Sequence, residues 1–167
     1  MSALDKFDLT GRVVAITGGA GLLGQKHAEA AAELGGIPVL LDIDEAGALA
    51  AAEAIGGGAR GFKLDITDDA RVADMGCTLM AEFGRIDALI NNAANDKRIA
   101  VGDIDSDFWD WSMAINLKAY FFACQAVIAG MRAAGGGAIV NFSSISYMMG
   151  NAGYATYTTA NAGITGM

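Results

Sequence analysis

The sequence predicts an α/β fold in which five parallel strands form one doubly wound sheet, in the order 3-2-1-4-5, with helices on both faces. Five short apolar runs alternate with longer alanine-rich stretches of helical period. The runs are apolar almost throughout, as in strands that are covered on both faces. The chain has 167 residues, of which 53% are hydrophobic and 18% are charged. These values are typical of one core-forming domain, and we assign residues 1–167 to it.

The strands are predicted where β-branched and other apolar residues are most concentrated. They span residues 12–17, 37–42, 61–65, 86–91 and 138–143. Four helices are predicted between them, over residues 22–34, 45–55, 69–83 and 107–132. A fifth begins near Tyr154, and because neither a proline nor a clear glycine cap follows, we expect it to continue to Met167.

Composition and charge exclude several classes of partner. The formal net charge is −8, so the chain lacks the basic field that nucleic acids and anionic membranes require. No apolar run of about 18 residues and no basic-then-apolar leader is evident, so we expect a cytoplasmic protein without a membrane span. Cys77 and Cys124 lack metal-ligand spacing, and the acids between 103 and 110 match a solvated helix start, so no metal site is predicted.

A glycine-rich turn over residues 17–24 joins the first predicted strand directly to the first helix. Glycines at 18, 21 and 24 allow a tight turn that brings backbone N–H groups close to a pyrophosphate. The helix N-terminus beyond the turn adds partial positive charge. The turn therefore indicates a dinucleotide site, although glycine turns also serve as plain connections between strands and helices.

Asp42 ends the second predicted strand, 18 residues after Gly24. A carboxylate at this place can accept hydrogen bonds from both ribose hydroxyls of an adenosine, and it would repel a 2′-phosphate. Residues 41–44 contain no arginine or lysine, which favours NAD over NADP. The alternative is that Asp42 is an exposed acid that caps the next helix.

Several motifs in order resemble the short-chain dehydrogenase/reductase family across essentially the whole chain. Besides the glycine turn, they include Asp65-Ile66-Thr67, Asn91-Asn92-Ala93-Ala94, Asn116 in the long helix, and Tyr157 placed 13 residues after Ser144. The resemblance implies a Rossmann-like fold and a nicotinamide cofactor, NAD. The residues that it assigns to cofactor binding are Gly18, Gly21, Leu22, Leu23, Gly24, Asp42, Asp65, Ile66, Asn92, Ala93 and Ala94.

The resemblance also implies a reaction, the interconversion of an alcohol and a ketone by hydride transfer. Tyr157 would be the acid/base and Ser144 would donate a hydrogen bond to the substrate oxygen. Asn116 would hold a water that connects the site to solvent. The family has a lysine four residues after the tyrosine, whereas this chain has Asn161.

Asn161 carries no charge, so we expect this chain to bind NAD but to turn over slowly, with the Asn161 amide bonded to a cofactor ribose hydroxyl. A catalytically silent NAD-binding module or fragment is the first alternative. The spacing Gly18-x-x-Gly21-x-x-Gly24 resembles the family's epimerase branch, which makes a sugar-nucleotide epimerase the second. Ala94 stands where the family has glycine.

The family continues beyond the tyrosine helix through two more strands and a substrate loop, which this chain lacks, so the substrate itself is not predicted. The family forms dimers or tetramers through the long helix, and we expect a homo-oligomer. Elsewhere, we expect His27 to be a hydrogen-bonded core histidine, and Trp109 and Trp111 to serve ordinary packing.

Overall fold

A computed structural model describes residues 4–167 and contains the predicted sheet. Five parallel strands lie side by side in the order β3-β2-β1-β4-β5, which confirms the predicted fold class and strand order. The strands are β1 Val13–Thr17, β2 Ile37–Asp42, β3 Arg60–Lys63, β4 Ala88–Asn91 and β5 Ala138–Asn141.

Six α-helices are described, and they cover both faces of the sheet. They are α1 Leu22–Glu33, α2 Glu45–Ile55, α3 Asp69–Phe83, α4 Ser106–Met113, α5 Ala119–Ala133 and α6 Ala155–Thr165. Helices α1 and α2 pack on one face over a cluster that includes Ile16 and Leu40. Helices α3 and α5 pack on the other over a cluster that includes Leu89 and Val127. The alternation of buried side chains between the two clusters explains why the central strands β1 and β2 are almost entirely apolar.

Four strands are shorter than predicted, by one or two residues, and the first of them, β1, begins one residue late at Val13. β3 ends at Lys63 rather than at residue 65, and there the Asp65 carboxylate accepts hydrogen bonds from the N–H and hydroxyl of Thr67 in the following turn. β4 begins two residues late and β5 ends two residues early. Polar side chains at strand ends thus organise the turns instead of continuing the strand.

The predicted long helix is broken by a π-helical segment, Ala114–Lys118, which separates α4 from α5. Among residues 4–167, the stretch Ser106–Ala133 is the one helix that is long and apolar enough to cross a membrane. One face of this helix packs against the rest of the domain, where the side chains of Tyr120 and Val127 are only 2% and 0% exposed. Such burial is typical of a core helix in a folded domain.

The last helix ends sooner than predicted. α6 stops at Thr165, and the N–H groups of Gly166 and Met167 bond back to the carbonyls of Gly163 and Ile164. The expectation that the helix continues to the last residue was therefore wrong, because Gly166 does serve as its cap.

Candidate active site

Two cavities open at the carboxyl ends of the strands, where β1 and β4 lie side by side and the chain departs from them in opposite directions. This is the place where ligands bind in open α/β sheets. The larger cavity has a volume of about 730 Å³ and is lined by Gly18, Gly21, Leu22, Leu23, Asp42, Ile43, Leu64, Asp65, Ile66, Thr67, Asn92, Ala93, Ala94, Asn95, Trp111, Ala114 and Ile115. It brings together every residue predicted to bind the cofactor except Gly24. We call it the dinucleotide cavity.

The smaller cavity, here called the tyrosine cleft, has a volume of about 510 Å³. It is lined by Asp96, Arg98, Ser144, Ile145, Ser146, Met149, Asn151, Ala152, Tyr154 and Tyr157. Asn95 lines the dinucleotide cavity and the next residue, Asp96, lines the tyrosine cleft, so the two cavities adjoin at the loop after β4. A dinucleotide and a second small molecule could thus meet at this loop.

The glycine turn is folded tightly against the end of β4. Gly18 has a positive φ of +67°, and a Cβ at this position would lie 2.9 Å from the Cα of Ala93. Gly24 lies on the inner side of the turn, where a Cβ would meet the Gly18 carbonyl oxygen and lie 2.8 Å from the Cα of Gly19. Gly24 therefore allows helix α1 to approach the turn, and it does not line the cavity.

Helix α1 begins differently from the three helices α2, α3 and α4. Those three are capped by the carboxylates of Asp44, Asp68 and Asp105, which accept hydrogen bonds from N–H groups of the first turn. The cap of α1 is Gly21, which offers no side chain, and the first turn of α1 has no acidic residue. The positive end of α1 is thus left open toward the dinucleotide cavity, as an anion site requires.

Asp42 lies at the end of β2 and contacts the glycine turn itself. One carboxylate oxygen accepts a hydrogen bond from the Ala20 N–H at 2.9 Å, and the other accepts one from the Asp44 N–H at 3.0 Å. Asp44, not Asp42, caps helix α2. The alternative interpretation of Asp42 as the helix cap is therefore wrong, and its carboxylate instead ties β2 to the turn.

Asn92 connects the glycine turn to the end of β4. Its side-chain amide donates to the carbonyl oxygens of Thr17 and Gly18 at 3.1 and 3.3 Å. In return, the Thr17 hydroxyl accepts hydrogen bonds from the N–H groups of Asn92 and Ala93. Because Thr17 is only 2% exposed, these hydrogen bonds are shielded from water and hold the turn firmly in place.

Asp65 and Ile66 form the wall of the dinucleotide cavity that follows β3. Hydrogen bonds from the Thr67 hydroxyl and N–H lower the pKa of the Asp65 carboxyl. The exposed side chains of Leu22 and Leu23 and the methyl groups of Ala93 and Ala94 add apolar surface to the cavity. This mixture suits an adenosine, whose base is flat and apolar and whose ribose is polar.

Ser144 and Tyr157 both line the tyrosine cleft, as their predicted partnership requires. Ser144 precedes a short 3₁₀ turn, and its Oγ accepts a hydrogen bond from the Ser146 N–H at 3.2 Å. With that bond made, the Ser144 O–H remains free to donate to a ligand oxygen. Tyr157 lies in the first turn of α6 and is half-buried, with its ring centroid 5.7 Å from that of Tyr154. Burial, with a smaller contribution from nearby Tyr157, raises the pKa of Tyr120, so this neighbouring phenol stays protonated.

Asn116 lies within the π-helical segment and is 1% exposed. Its Oδ1 accepts from the Asn95 N–H at 2.9 Å, while its Nδ2 donates to the carbonyl oxygens of Asn95 and Ser112. The side chain therefore clamps the loop that separates the two cavities and lines neither of them. A water held by this side chain remains a prediction.

Asn161 lies one helical turn after Tyr157 and is 3% exposed. Its Nδ2 donates to the Tyr157 carbonyl oxygen at 2.9 Å, so the amide turns back onto its own helix. The expectation that this amide bonds a ribose hydroxyl disagrees with the geometry, because Asn161 lines neither cavity. The Arg98 guanidinium lines the same cleft as Tyr157, but it lies over the ring of Tyr154, 4.5 Å from its centroid.

Some residues of the site were missed from the sequence. Trp111, expected to serve packing alone, lines the dinucleotide cavity and is 39% exposed. Asp96 and Arg98 line the tyrosine cleft, and only their place just after the Asn-Asn-Ala-Ala motif could have indicated this. His27 was expected to be hydrogen-bonded, yet its Nε2 is buried without a partner among residues 4–167, and the centroid of its ring lies 4.7 Å from that of Phe142.

Comparison with known proteins agrees with this geometry. The family model of short-chain dehydrogenases matches residues 12–167. The chain is similar to a probable galactose dehydrogenase of Rhizobium meliloti (strain 1021), with 36% identity over 96% of this chain and 64% of the relative. It is also similar to a D-threitol dehydrogenase of Mycolicibacterium smegmatis, with 38% identity over 96% of this chain and 63% of the relative.

A solved structure shows the same likeness in three dimensions. The crystal structure of gox2181 superposes with a TM-score of 0.92 and 30% identity, over 96% of this chain and 65% of that one. The chain thus spans less than two thirds of the length of these relatives. On the family match and these identities, the chain belongs to the short-chain dehydrogenase family, a family of oxidoreductases.

Proposed function

We propose that this chain binds NAD across the dinucleotide cavity and takes part in the interconversion of an alcohol and a ketone in the tyrosine cleft. One observation carries the proposal. The uncapped N-terminus of α1, the glycine turn and the Asp42 carboxylate converge on one cavity, which adjoins the cleft that holds Ser144 and Tyr157. The helix end and the glycine turn suit the pyrophosphate of a dinucleotide, the carboxylate suits its ribose, and the adjoining cleft would receive its reactive ring.

The residues fit the cofactor. N–H groups of the turn and of the first turn of α1 would hold the pyrophosphate, and Asp42 would accept from the adenosine ribose. Asp65 and Ile66 would flank the adenine. When bound, the nicotinamide supplies the site that accepts or gives up a hydride. Ser144 then holds the substrate oxygen, and Tyr157 takes or returns the hydroxyl proton.

NAD is favoured over NADP by charge. Asp42 presents a carboxylate where the 2′-phosphate of NADP would lie, and no basic residue stands beside it in residues 41–44. Lys63 is the register partner of Asp42 on β3, but its side chain lines a separate cavity and makes no ion pair with Asp42. The carboxylate is therefore free to repel a phosphate.

Calorimetric titration of the chain with NAD and with NADP tests the cofactor. We expect NAD to bind at least about tenfold more tightly than NADP, because two like charges about 5 Å apart in a partly screened site repel by more than 1 kcal/mol. Asp42→Asn keeps an amide oxygen for the Ala20 N–H but removes the negative charge. It should therefore reduce the difference between the affinities for NAD and NADP. Asp103→Ala, an exposed acid outside both cavities, is the control. Equal binding of the two cofactors would contradict the choice of NAD, and no binding of either would contradict the dinucleotide site.

Among reactions, the observations favour oxidoreduction over epimerisation. The similar proteins named above are dehydrogenases of a sugar and of a sugar alcohol, whereas the epimerase alternative depends on glycine spacing alone. A catalytically silent binding module stays an alternative, because the Asn161 amide is occupied by its own helix. NADH formation in a screen of secondary alcohols separates the two.

We propose that copies of this chain associate into a homo-oligomer. Helices α4 and α5 expose several large apolar side chains: Trp109, Trp111, Phe121 and Ile128. Exposed apolar surface of this kind favours association between copies. Sedimentation equilibrium of the chain and of a Phe121→Ser variant, with Phe121 53% exposed, tests whether this face joins two copies.

A further inference from the structure

The tyrosine cleft contains polar side chains that the proposed reaction does not use. Besides Ser144 and Tyr157 it is lined by Asp96, Arg98, Ser146 and Asn151. The reacting carbon and oxygen of an alcohol need only the serine, the tyrosine and the cofactor. The remaining groups are therefore available for the rest of the substrate.

Asp96 and Arg98 lie two residues apart in the loop that follows β4, and both are exposed. Neither forms an ion pair or a side-chain hydrogen bond within residues 4–167. The Arg98 guanidinium instead lies over the ring of Tyr154, 4.5 Å from its centroid. The cleft thus offers one uncommitted carboxylate, which accepts hydrogen bonds, and one guanidinium, which donates them.

Ser146 provides an independent sign of a ligand. It is 8% exposed, and its buried Oγ has no hydrogen-bond partner in the described residues. Its N–H already donates to the Ser144 Oγ, so the unpartnered hydroxyl belongs to the same turn as the predicted catalytic serine. Buried hydroxyls without partners are rare and costly, and because Ser146 is one of the cleft residues, a ligand hydroxyl that reached its Oγ would complete its hydrogen bonds.

Charge and chemistry together restrict the ligand. An anionic ligand would be repelled by the Asp96 carboxylate and by the overall charge of −8. A cationic ligand would be repelled by the Arg98 guanidinium. A purely apolar alcohol would cover Asp96, Ser146 and Asn151 without forming hydrogen bonds to them. A hydroxyl group both donates and accepts, so several hydroxyls on neighbouring carbons match the whole set.

On the basis of the proposed function, we infer that the tyrosine cleft selects an uncharged polyhydroxylated alcohol, with Asp96 as a specificity-determining residue. Asp96 accepts hydrogen bonds from hydroxyls next to the reacting one, and Ser146 binds a further hydroxyl close to Ser144. Arg98 and Asn151 donate to the remaining oxygens. Ile145 and Met149 cover the carbon skeleton.

Binding of two alcohols with the same four-carbon skeleton tests this inference without requiring turnover. Erythritol carries a hydroxyl on every carbon, whereas 2-butanol carries one. Saturation-transfer NMR of the 167-residue chain, with NAD present, measures the dissociation constant of each alcohol. We expect erythritol to bind at least about tenfold more tightly than 2-butanol, since a hydrogen bond to a charged acceptor is worth a factor of this size.

Variants then show which residue makes the distinction. Asp96→Ala should weaken the binding of erythritol about tenfold and leave the binding of 2-butanol unchanged. Ser146→Ala should weaken the binding of erythritol about threefold. Asp103→Ala removes the same charge outside both cavities and should change neither. A merely structural role for Asp96 would weaken both alcohols alike, and that result overturns the inference. It is equally overturned if 2-butanol binds as tightly as erythritol, or if neither binds.

Cofactor titrations keep this inference separate from the proposed function. If NAD binds but erythritol is not preferred, only the substrate class fails. If erythritol is preferred and depends on Asp96 although NAD does not bind, the cleft is a polyol site and the proposed cofactor chemistry fails.

Discussion

Replacing Asn161 by lysine would place an ammonium group one helical turn after Tyr157. Residues four apart lie on the same face of a helix, so a lysine at 161 can reach along α6 toward the tyrosine ring. In the present chain this position is 3% exposed, and its amide donates to the Tyr157 carbonyl oxygen. The lysine would lose that hydrogen bond, at a cost of about 1 kcal/mol in folding stability.

The gain in rate follows from the charge. A phenol ionises with a pKa of about 10, so only about one molecule in a thousand is a phenolate at neutral pH. An ammonium about 5 Å away, at an effective dielectric constant of about 20, favours the phenolate by about 3 kcal/mol. Alcohol oxidation needs a base to take the hydroxyl proton, so we expect kcat for Asn161→Lys to rise about a hundredfold.

Initial rates of NADH formation from a secondary alcohol, measured from pH 6 to pH 10, would test this expectation. The rate of the lysine variant should reach its plateau at lower pH than that of the original chain, since the added charge favours the deprotonated phenol. Asn161→Met is the matched control, because it has an unbranched side chain of similar reach and no charge. Equal rates for the original chain and the lysine variant would refute the reasoning, as would an equal gain in the methionine variant.

Two further substitutions test the framework around the site. Burial raises the pKa of the Asp87 carboxyl, but hydrogen bonds from Arg85, a strand N–H and a second arginine outweigh burial and lower it to about 2. Asp87→Asn should therefore lower the free energy of unfolding in urea by about 2 kcal/mol at pH 7, and this difference should vanish as the pH falls from about 5 to 2. A difference that persists at pH 2 would contradict it. Gly24→Ala should weaken NAD binding at least about tenfold, because its Cβ would meet the turn at Gly19, whereas Gly102→Ala meets nothing within 4 Å and should bind NAD normally. Calorimetric titration of both variants with NAD measures this difference. An unchanged NAD affinity in Gly24→Ala would contradict the argument that the tight glycine turn forms the NAD site.

The fold could be predicted because its determinants are local and repeated. The strands β1, β2 and β4 are short apolar runs, and in a parallel sheet covered on both faces such runs need no further signal. The glycine turn was equally visible, since strand, glycines and helix follow one another along the chain. What the sequence did not show are pairings across long separations: the Asn116 side chain with the Asn95 backbone, and the Asn92 amide with Thr17. The π-helical break at Asn116 could not be predicted for the same reason.

The sequence motifs predicted where the residues of the candidate site lie, but not how each side chain is oriented. Every residue predicted to bind the cofactor except Gly24 lines the dinucleotide cavity, because the motifs follow strands of the sheet. The direction of a single side chain was not predictable, as Asn161 shows. An amide in a helix can turn outward to a ligand or back to a carbonyl four residues earlier, and the sequence is the same in both cases.

In the proposed function, cofactor binding and proton transfer would depend on separate parts of this molecule. The glycine turn is held by Asp42 from one neighbouring strand and by Asn92 from the other, and within residues 4–167 neither side chain is hydrogen-bonded to α6. The Asn161 side chain donates to the Tyr157 carbonyl within α6, and the Asn161 backbone carbonyl accepts a hydrogen bond from the Ser143 hydroxyl after β5. The substitution at 161 therefore alters the electrostatics of the tyrosine without reaching the turn. It follows that changes at 161 should move kcat while leaving NAD affinity unchanged, and changes at 42 or 92 should do the reverse.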